Sequence, residues 1–320
     1  MNGISVVIPT WNGVDLLVRC LPAMIVAIEK SKRPYEVIIV DDASSDQTVE
    51  MLEKGYPEIQ LLVSESRKGF GDSVNMGIEA AEYKYILLLN NDVVLDQDFF
   101  VHILKQFDRE DIFAVMGKTL NKDGTSLDNT KQHATFRRGL FSHRFGDDRL
   151  AAHTLFACAA AALYDRDKVT GLGGMDSLYK PAYMEDVDLS YRAWKRGWRT
   201  LYNPNAIAYH LGSVSMRQAY DDREILIMKQ RNMWLFTWKN ITDTTLVFSH
   251  IAWLPSHILY PLVKMNTVPL ISLLRALTRY REVILKRKVE RNEGVLSDSE
   301  VSRQCKIDLT DEKILAEKKI

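Results

Sequence analysis

Apolar residues gather in short runs through the first part of the chain, at Ile4–Ile8, Glu36–Val40, Ile59–Val63, Tyr85–Leu89 and Phe113–Met116. Runs of this length without strict polar and apolar alternation read as strands covered on both faces, the mark of central parallel strands. Between them apolar positions fall at helical spacing, as at Leu16, Leu17, Leu21 and Ile25. The β-α-β-α alternation predicts an α/β fold, a mostly parallel sheet flanked by helices with right-handed crossovers.

Ligands in open α/β sheets bind beyond the carboxyl ends of the strands. Three polar turns follow strands here: Pro9-Thr10-Trp11-Asn12-Gly13, Asp41 to Asp46, and Asn90-Asn91-Asp92. They should face one crevice. Asp92, hard and anionic just past a buried strand, suits a divalent cation of the Mg or Mn type that substrate phosphates also hold; otherwise it caps a helix starting near Gln97. Asp41 can accept from a base N–H or a ribose hydroxyl, with Thr10 and Trp11 beside it. Ser45 or Asp46 is then the cap of the helix carrying Val49 and Leu52. The basic loop around Arg67, Lys68, Gly69 and Gly71 leads into the helix with Asn75-Met76-Gly77, and Arg67 can meet a base carbonyl or a phosphate.

Residues from about 118 to 155 show no clear period and read as a long loop that shapes a second substrate's pocket. Leu189, Ala193 and Arg196 mark a later helix, so Glu185 and Asp186 stand at its amino terminus, where the helix dipole by itself favours anions. His210 ends a short strand and can give a neutral ring nitrogen to a metal.

Composition narrows the choice. The 320 residues are 46% hydrophobic and 26% charged, with Lys+Arg and Asp+Glu balanced at 42 each. No global field attracts nucleic acid, and no nucleic-acid partner is expected. Cys20, Cys158 and Cys305 lie far apart without metal spacing, which fits a cytosolic chain with neither a disulfide framework nor a zinc site. The start of the chain lacks the basic, apolar and small-residue order of a signal peptide and reads as the first strand. The turn after that strand holds only Gly13, against the glycine-rich loop that a Rossmann dehydrogenase or a nucleotidyltransferase needs.

Taken in order, Val-Ile-Pro-Thr-Trp-Asn at the first strand, Asp41-Asp42-Ala43-Ser44-Ser45-Asp46, Asn75-Met76-Gly77, Asn90-Asn91-Asp92, Gly173-Gly174-Met175-Asp176, Glu185-Asp186-Val187-Asp188-Leu189 and His210 resemble glycosyltransferase family 2 over roughly residues 1–215. The resemblance implies a GT-A domain, a nucleotide-sugar donor, a divalent metal (Mg or Mn) and inversion at the anomeric carbon. It implies a donor pocket at Pro9, Thr10, Trp11, Asn12, Asp41, Arg67, Asn75, Asn90 and Asn91, metal ligands at Asp92 and His210, the general base at Asp186, and Glu185 as its neighbour toward the acceptor. Where the family has Asp-x-Asp this chain has Asn90-x-Asp92, so Asn90 brings no charge to the metal. The Asn-Asn-Asp form and His210-Leu211-Gly212-Ser213 look like the bacterial rhamnosyltransferase-like branch, with a dTDP- or UDP-linked sugar. The acceptor is then a hydroxyl of a glycan or lipid-linked molecule of the bacterial cell surface. A non-catalytic sugar-nucleotide sensor or scaffold is the alternative.

Residues 216–320 form a helical extension in this reading. A helix from Ala219 to Trp238 carries Ile225, Met228, Met233 and Trp234, and Thr244–Val263 has no Lys, Arg, Asp or Glu over the length of a membrane span. Pro255, Pro261, Ser249, Ser256, His250 and His257 weaken it as a span, so it and Met265–Leu274 read as amphipathic helices on a membrane surface; a core or dimer-interface pair, hence a homo-oligomer, is the alternative. Arg275, Arg279, Arg281, Lys286, Arg287, Lys288 and Arg291 beside them suit anionic lipid. The expected place is the cytoplasmic face of the cell membrane, peripherally bound. The last thirty or so residues are charged and weakly periodic, and read as a solvated helix or tail.

Overall fold

A computed structural model describes residues 2–107, 109–212 and 219–309 of the chain. The expected strands are present as β1 (Ile4–Thr10), β2 (Tyr35–Asp41), β3 (Gln60–Val63), β4 (Tyr85–Leu89) and the longer β6 (Ile112–Asn121), with a short β5 (Val93–Leu95) between the last two. Helices α1 (Val14–Lys30), α2 (Thr48–Gly55), α3 (Phe70–Ala80) and α4 (Phe99–Ile103) connect them.

Strands β1, β2, β3 and β4 pair in parallel, and β11 (Ala161–Asp165) runs antiparallel between β4 and β6. Beyond β6 lies β12 (Arg199–His210), parallel to it, and the whole is a ten-stranded mixed sheet. Residues alternate across this sheet into two cores. Ile4, Val6, Ile8, Leu87 and Leu89 join Leu17, Leu21, Met24 and Ile28 of α1 on one face. Val7, Ile86 and Leu88 join Val74 and Ile78 of α3 on the other. Both faces are therefore dry, which is why these strands lack alternation, and each fully buried Leu or Ile contributes about 1.5–3 kcal/mol. Gly77 lets α3 lie close, since a Cβ there would sit 2.3 Å from Val7 Cγ1.

The stretch expected to be a loop from about 118 to 155 is largely strand. It completes β6, adds β7 (Leu127–Asn129) against that strand's end, folds into the hairpin β8 (Gln132–Arg137) and β9 (Leu140–Phe145), and ends in β10 (Ala152–His153) on the sheet edge. The strands are short and half exposed, so a 3.6- or 2-residue period had little length in which to show. The segment before His210 is likewise one long strand, interrupted by a register shift between Asn203 and Ile207 where Pro204 cannot donate to the ladder.

After α5 (Arg166–Gly171) comes α6 (Glu185–Lys195), beginning where the sequence placed it. The carboxyl-terminal helices are α7 (Asp222–Asn240), α8 (Thr244–Val263), α9 (Thr267–Leu277), α10 (Tyr280–Glu293) and α11 (Asp298–Gln304). Helix α7 starts three residues later than the apolar spacing suggests, because the Asp221 carboxylate caps it by accepting from Glu224 N. These helices share a third core with the rest of the chain: Trp234, Phe236, Ala276 and Val301 pack with Phe141, Tyr191 and Trp194. Lys239, 1% exposed, reaches Asp176 at 2.6 Å and Asp188 at 2.8 Å.

Helix α8 is long and apolar enough to cross a membrane by length and composition, and only 11% of its apolar window is buried. Phe248, Ile251, Leu259, Tyr260 and Val263 face outward, as does Met265 after it. Part of the basic run that follows is used internally: Arg279 and Lys286 pair with Glu282, Lys286 also with Asp176, Arg275 with Glu224, and Arg287 donates to Trp238 O. Arg281, Lys288 and Arg291 remain directed outward. Of the charged carboxyl-terminal stretch, α11 is ordered by a capping box at Ser297 and Glu300, while residues 310–320 lie outside the described part, as does Ser213.

Candidate active site

A cleft of about 770 Å³ opens at the carboxyl end of the sheet, lined among others by Pro9, Thr10, Trp11, Arg67, Asn90, Asn91, Asp92, Glu185, Asp186 and His210. The three strand-end turns meet there. What fixes each side chain is mostly backbone register.

Strand β5 pairs antiparallel with the end of β12, setting Val93 opposite His210, and Leu211 N donates to Asp92 O at 2.8 Å. Asp92 and His210, far apart in sequence, thereby become neighbours, with His210 Nε2 3.1 Å from Asp92 Oδ1. Asp92 caps no helix; the preceding residue of α4 is Asp98, which itself makes no side-chain cap bond. On its other side, His210 Nδ1 lies 2.9 Å from Asp128 Oδ2. Burial alone would lower the His210 pKa, but the hydrogen bonds and charges of Asp128 and Asp92 outweigh it and push it up to about 10. Asp128 belongs to the segment whose pattern predicted only a loop, and nothing in the local sequence announced it.

Asp92 and His210 fit a divalent cation. Two ligands at about 2.1 Å from an octahedral ion and at right angles stand about 3 Å apart, and the Asp92–His210 separation is 3.1 Å. A cation between them would take the place of the proton that the pair now shares. Among the described residues no group of three or more His, Cys, Asp or Glu side chains could hold a metal alone. Further ligands would have to come from a substrate, as diphosphate oxygens can supply.

Glu185 and Asp186 open α6, entered through Tyr183 and Met184 at φ 78° and 79°. Two consecutive side chains in the left-handed region are costly, and they persist where the surroundings over-determine them. Here Asn232 of α7 does so: its Nδ2 donates to the carbonyls of Tyr179, Ala182 and Tyr183 at 3.1, 2.9 and 2.7 Å, while Arg231 donates to that of Lys180. Asp186 accepts from Val187 N at 2.8 Å and from Ala159 N at 3.4 Å, yet burial raises its pKa. Glu185 is 6% exposed and its Oε2 has no partner. Burial first, and the Asp186 charge second, push it up to about 8. Paired carboxyl groups with raised pKa values in a cleft suit proton transfer more than simple helix capping, which needs an ionised group.

The other expected donor contacts divide. Trp11 lies under the Arg67 guanidinium, 3.5 Å from ring centre to carbon, at the cleft mouth. Asp41 stands below the cleft lining; its Oδ1 accepts from Ser44 N, and its buried Oδ2, like Asn90 Oδ1, is without a partner. Asn12, Asn75 and Asn91 are each hydrogen-bonded within the protein itself. Asn12 Oδ1 accepts from Ser45 N, joining the first two turns. Asn75 exchanges two 2.8 Å bonds with the Met175 backbone, outside the cleft. Asn91 donates to Thr10 Oγ1 at 2.8 Å. Asp46, not Ser45, serves the start of α2 by accepting from Thr48 N. Asp42, part of the second turn but given no role of its own in the sequence, fixes the basic loop by accepting from Lys68 N and Gly69 N at 2.7 and 2.9 Å. Phe141 and His143 of the hairpin, Tyr183 before α6, Tyr220 just ahead of α7, and Lys229 and Met233 of α7 complete the cleft; only a tertiary arrangement could gather them.

Among solved structures the fold is similar to Staphylococcus aureus TarS 1–349 in complex with UDP-GlcNAc, at TM-score 0.59 and 17% identity over 95% of this chain and 90% of that one. It is also similar to the mannosyltransferase PcManGT from Pyrobaculum calidifontis in complex with GDP-Man and Mn2+, at TM-score 0.53 and 14% identity over 90% and 86%. In sequence, the poly-beta-1,6-N-acetyl-D-glucosamine synthase of Staphylococcus aureus strain MSSA476 is 24% identical over 214 residues, 66% of this chain and 50% of that protein. The chain thus spans about half the length of the curated relatives it matches. A family model described as "Glycosyl transferase family 2" matches residues 5–172, more than half of the chain and all three strand-end turns, and the chain belongs to glycosyltransferase family 2.

Proposed function

We propose that the protein is an inverting glycosyltransferase that moves a sugar from a nucleotide diphosphate to a hydroxyl of a glycan or lipid-linked acceptor. The observation that carries this reading is the meeting of a cation-competent Asp92–His210 pair and a buried Glu185–Asp186 carboxyl pair suited to proton transfer in one cleft. Family membership sets the reaction class, and TarS and PcManGT, bound to UDP-GlcNAc and to GDP-Man with Mn2+, support a nucleotide-sugar donor and a divalent ion. The Asn90-Asn91-Asp92 form supports a dTDP- or UDP-linked sugar of the rhamnosyltransferase-like kind.

In this reading Trp11, Arg67 and the unpartnered Asn90 oxygen receive the nucleoside, with the buried Asp41 carboxylate beneath them, and Asp92 with His210 would hold Mg or Mn. When bound, that ion neutralises charge growing on the departing diphosphate. Asp186 takes the acceptor proton as the new bond forms, and its raised pKa makes it a stronger base than an exposed carboxylate. Glu185, protonated below about pH 8, can donate a hydrogen bond to the acceptor. The hairpin and α7 wall receives the acceptor.

Outward-facing Phe248, Leu259 and Val263 on α8, with Arg281, Lys288 and Arg291 nearby in the chain, support peripheral binding to an anionic membrane, on the cytoplasmic face in a bacterial cell.

The test is release of nucleoside diphosphate from a panel of UDP-, dTDP- and GDP-sugars with Mn2+. Asp186→Asn should lower turnover by about 10² or more with nucleotide affinity kept. A variant at wild-type rate removes Asp186 as base, and a wild type that turns over no donor while binding the nucleotide leaves a sensor or scaffold.

A further inference from the structure

We infer that Asp128 is a positioning residue for the cation site, acting through His210; the inference rests on the metal reading of Asp92 and His210. An imidazole can coordinate only through a nitrogen that bears no proton. A carboxylate accepts hydrogen bonds and donates none, so Asp128, 2.9 Å from Nδ1, keeps a ring proton on that nitrogen, and the proton that Nε2 gives to Asp92 is the one a cation would displace.

The backbone is built for this contact. Thr119 of β6 faces Asn129 and Leu120 faces Leu127, so Asp128 is the extra residue of a bulge in β7. Bulges re-aim side chains, commonly beside active sites. His210 stands on β12 opposite Asn121, on the other side of the same β6 end, so the Asp128 carboxylate reaches past that strand to the ring. His210 is its one hydrogen-bond partner among the described residues. Asp128 and Asp92 sit at opposite ring nitrogens, so both cannot be ligands of one ion together with His210. Because Asn90 stands where a second carboxylate is usual, the charge behind His210 carries more of the ion's affinity than it would beside an Asp pair.

The experiment is calorimetric titration of Mn2+ into protein saturated with whichever of UDP, dTDP or GDP the wild type binds. Asp128→Ala should raise the Mn2+ dissociation constant by about tenfold to a hundredfold and leave nucleotide affinity without metal unchanged. In a His210→Ala background the same change should have no further effect. Equal Mn2+ affinity of Asp128→Ala and wild type overturns the inference while the metal reading stands. A further loss in the His210→Ala background also overturns it, since Asp128 would then contact the ion directly. Wild type without any Mn2+ dependence takes down the metal reading and the inference together.

Discussion

Glu185→Gln should stabilise the protein at alkaline pH, by an amount that grows as pH rises. The folded chain holds the Glu185 proton up to about pH 8, whereas the unfolded chain releases it near the ordinary value of 4.5. Between those values the folded state binds more protons, so stability falls as pH increases. The shift is 8 − 4.5 = 3.5 units, about 5 kcal/mol in full at about 1.4 kcal/mol per unit, and because titration is only half complete at each end the wild type loses roughly 4 kcal/mol between pH 4.5 and pH 8. Gln fills the same volume without titrating, so it escapes that loss. At about 2 °C per kcal/mol for a chain of this size, the variant should melt about 8 °C above wild type at pH 8 and nearly with it at pH 4.5. Differential scanning fluorimetry across that range reads the gap directly, since other titrating groups are common to both proteins. A gap that is constant, or that narrows toward pH 8, refutes a buried and unpartnered Glu185. A stabilised variant that also loses turnover would mark a site held at a cost in stability.

Lys239→Ala leaves the buried Asp188 and Asp176 carboxylates without their shared cation and should cost about 3–5 kcal/mol; the carboxyl of Asp188, which burial would raise, is held far below its usual range by Lys239 and Arg192. Urea unfolding checks it, and a loss below about 1 kcal/mol would deny the pair its role. Asn232→Ala should lower turnover by about tenfold or more and spare nucleotide affinity, because the Tyr179–Tyr183 carbonyls lose the donor that holds Glu185 and Asp186 in place; comparing kcat with the nucleotide Kd decides it, and unchanged kcat would show the loop to be self-supporting. For the membrane surface, Phe248→Ser with Leu259→Ser should leave melting unchanged, since both side chains are exposed, and weaken sedimentation with phosphatidylglycerol vesicles by a factor of about 10² or more at about 1.5–3 kcal/mol per buried side chain. Equal sedimentation of variant and wild type, or none of either, would leave that face to another partner.

The sequence alone determined the elements whose signal is local. Runs such as Tyr85–Leu89 are buried on both faces and could be strands of nothing but an inner sheet, the polar turns had to lie at their carboxyl ends, and Glu185 and Asp186 had to open a helix. The ordered set of motifs carried the family. Tertiary structure decided what depends on register between distant strands. The pairing of β5 with β12 brings Asp92 to His210, and a bulge beside β6 adds Asp128, none of which leaves a periodic trace in the chain. It also separated polar residues of the same kind by their partners: Asn75 and Asn91 satisfy the protein, while Asp41 Oδ2, Asn90 Oδ1 and Glu185 Oε2 are left buried and unbonded. A side chain's type gives its hydrogen-bonding capacity, but only the folded neighbours determine whether any of that capacity remains for a substrate.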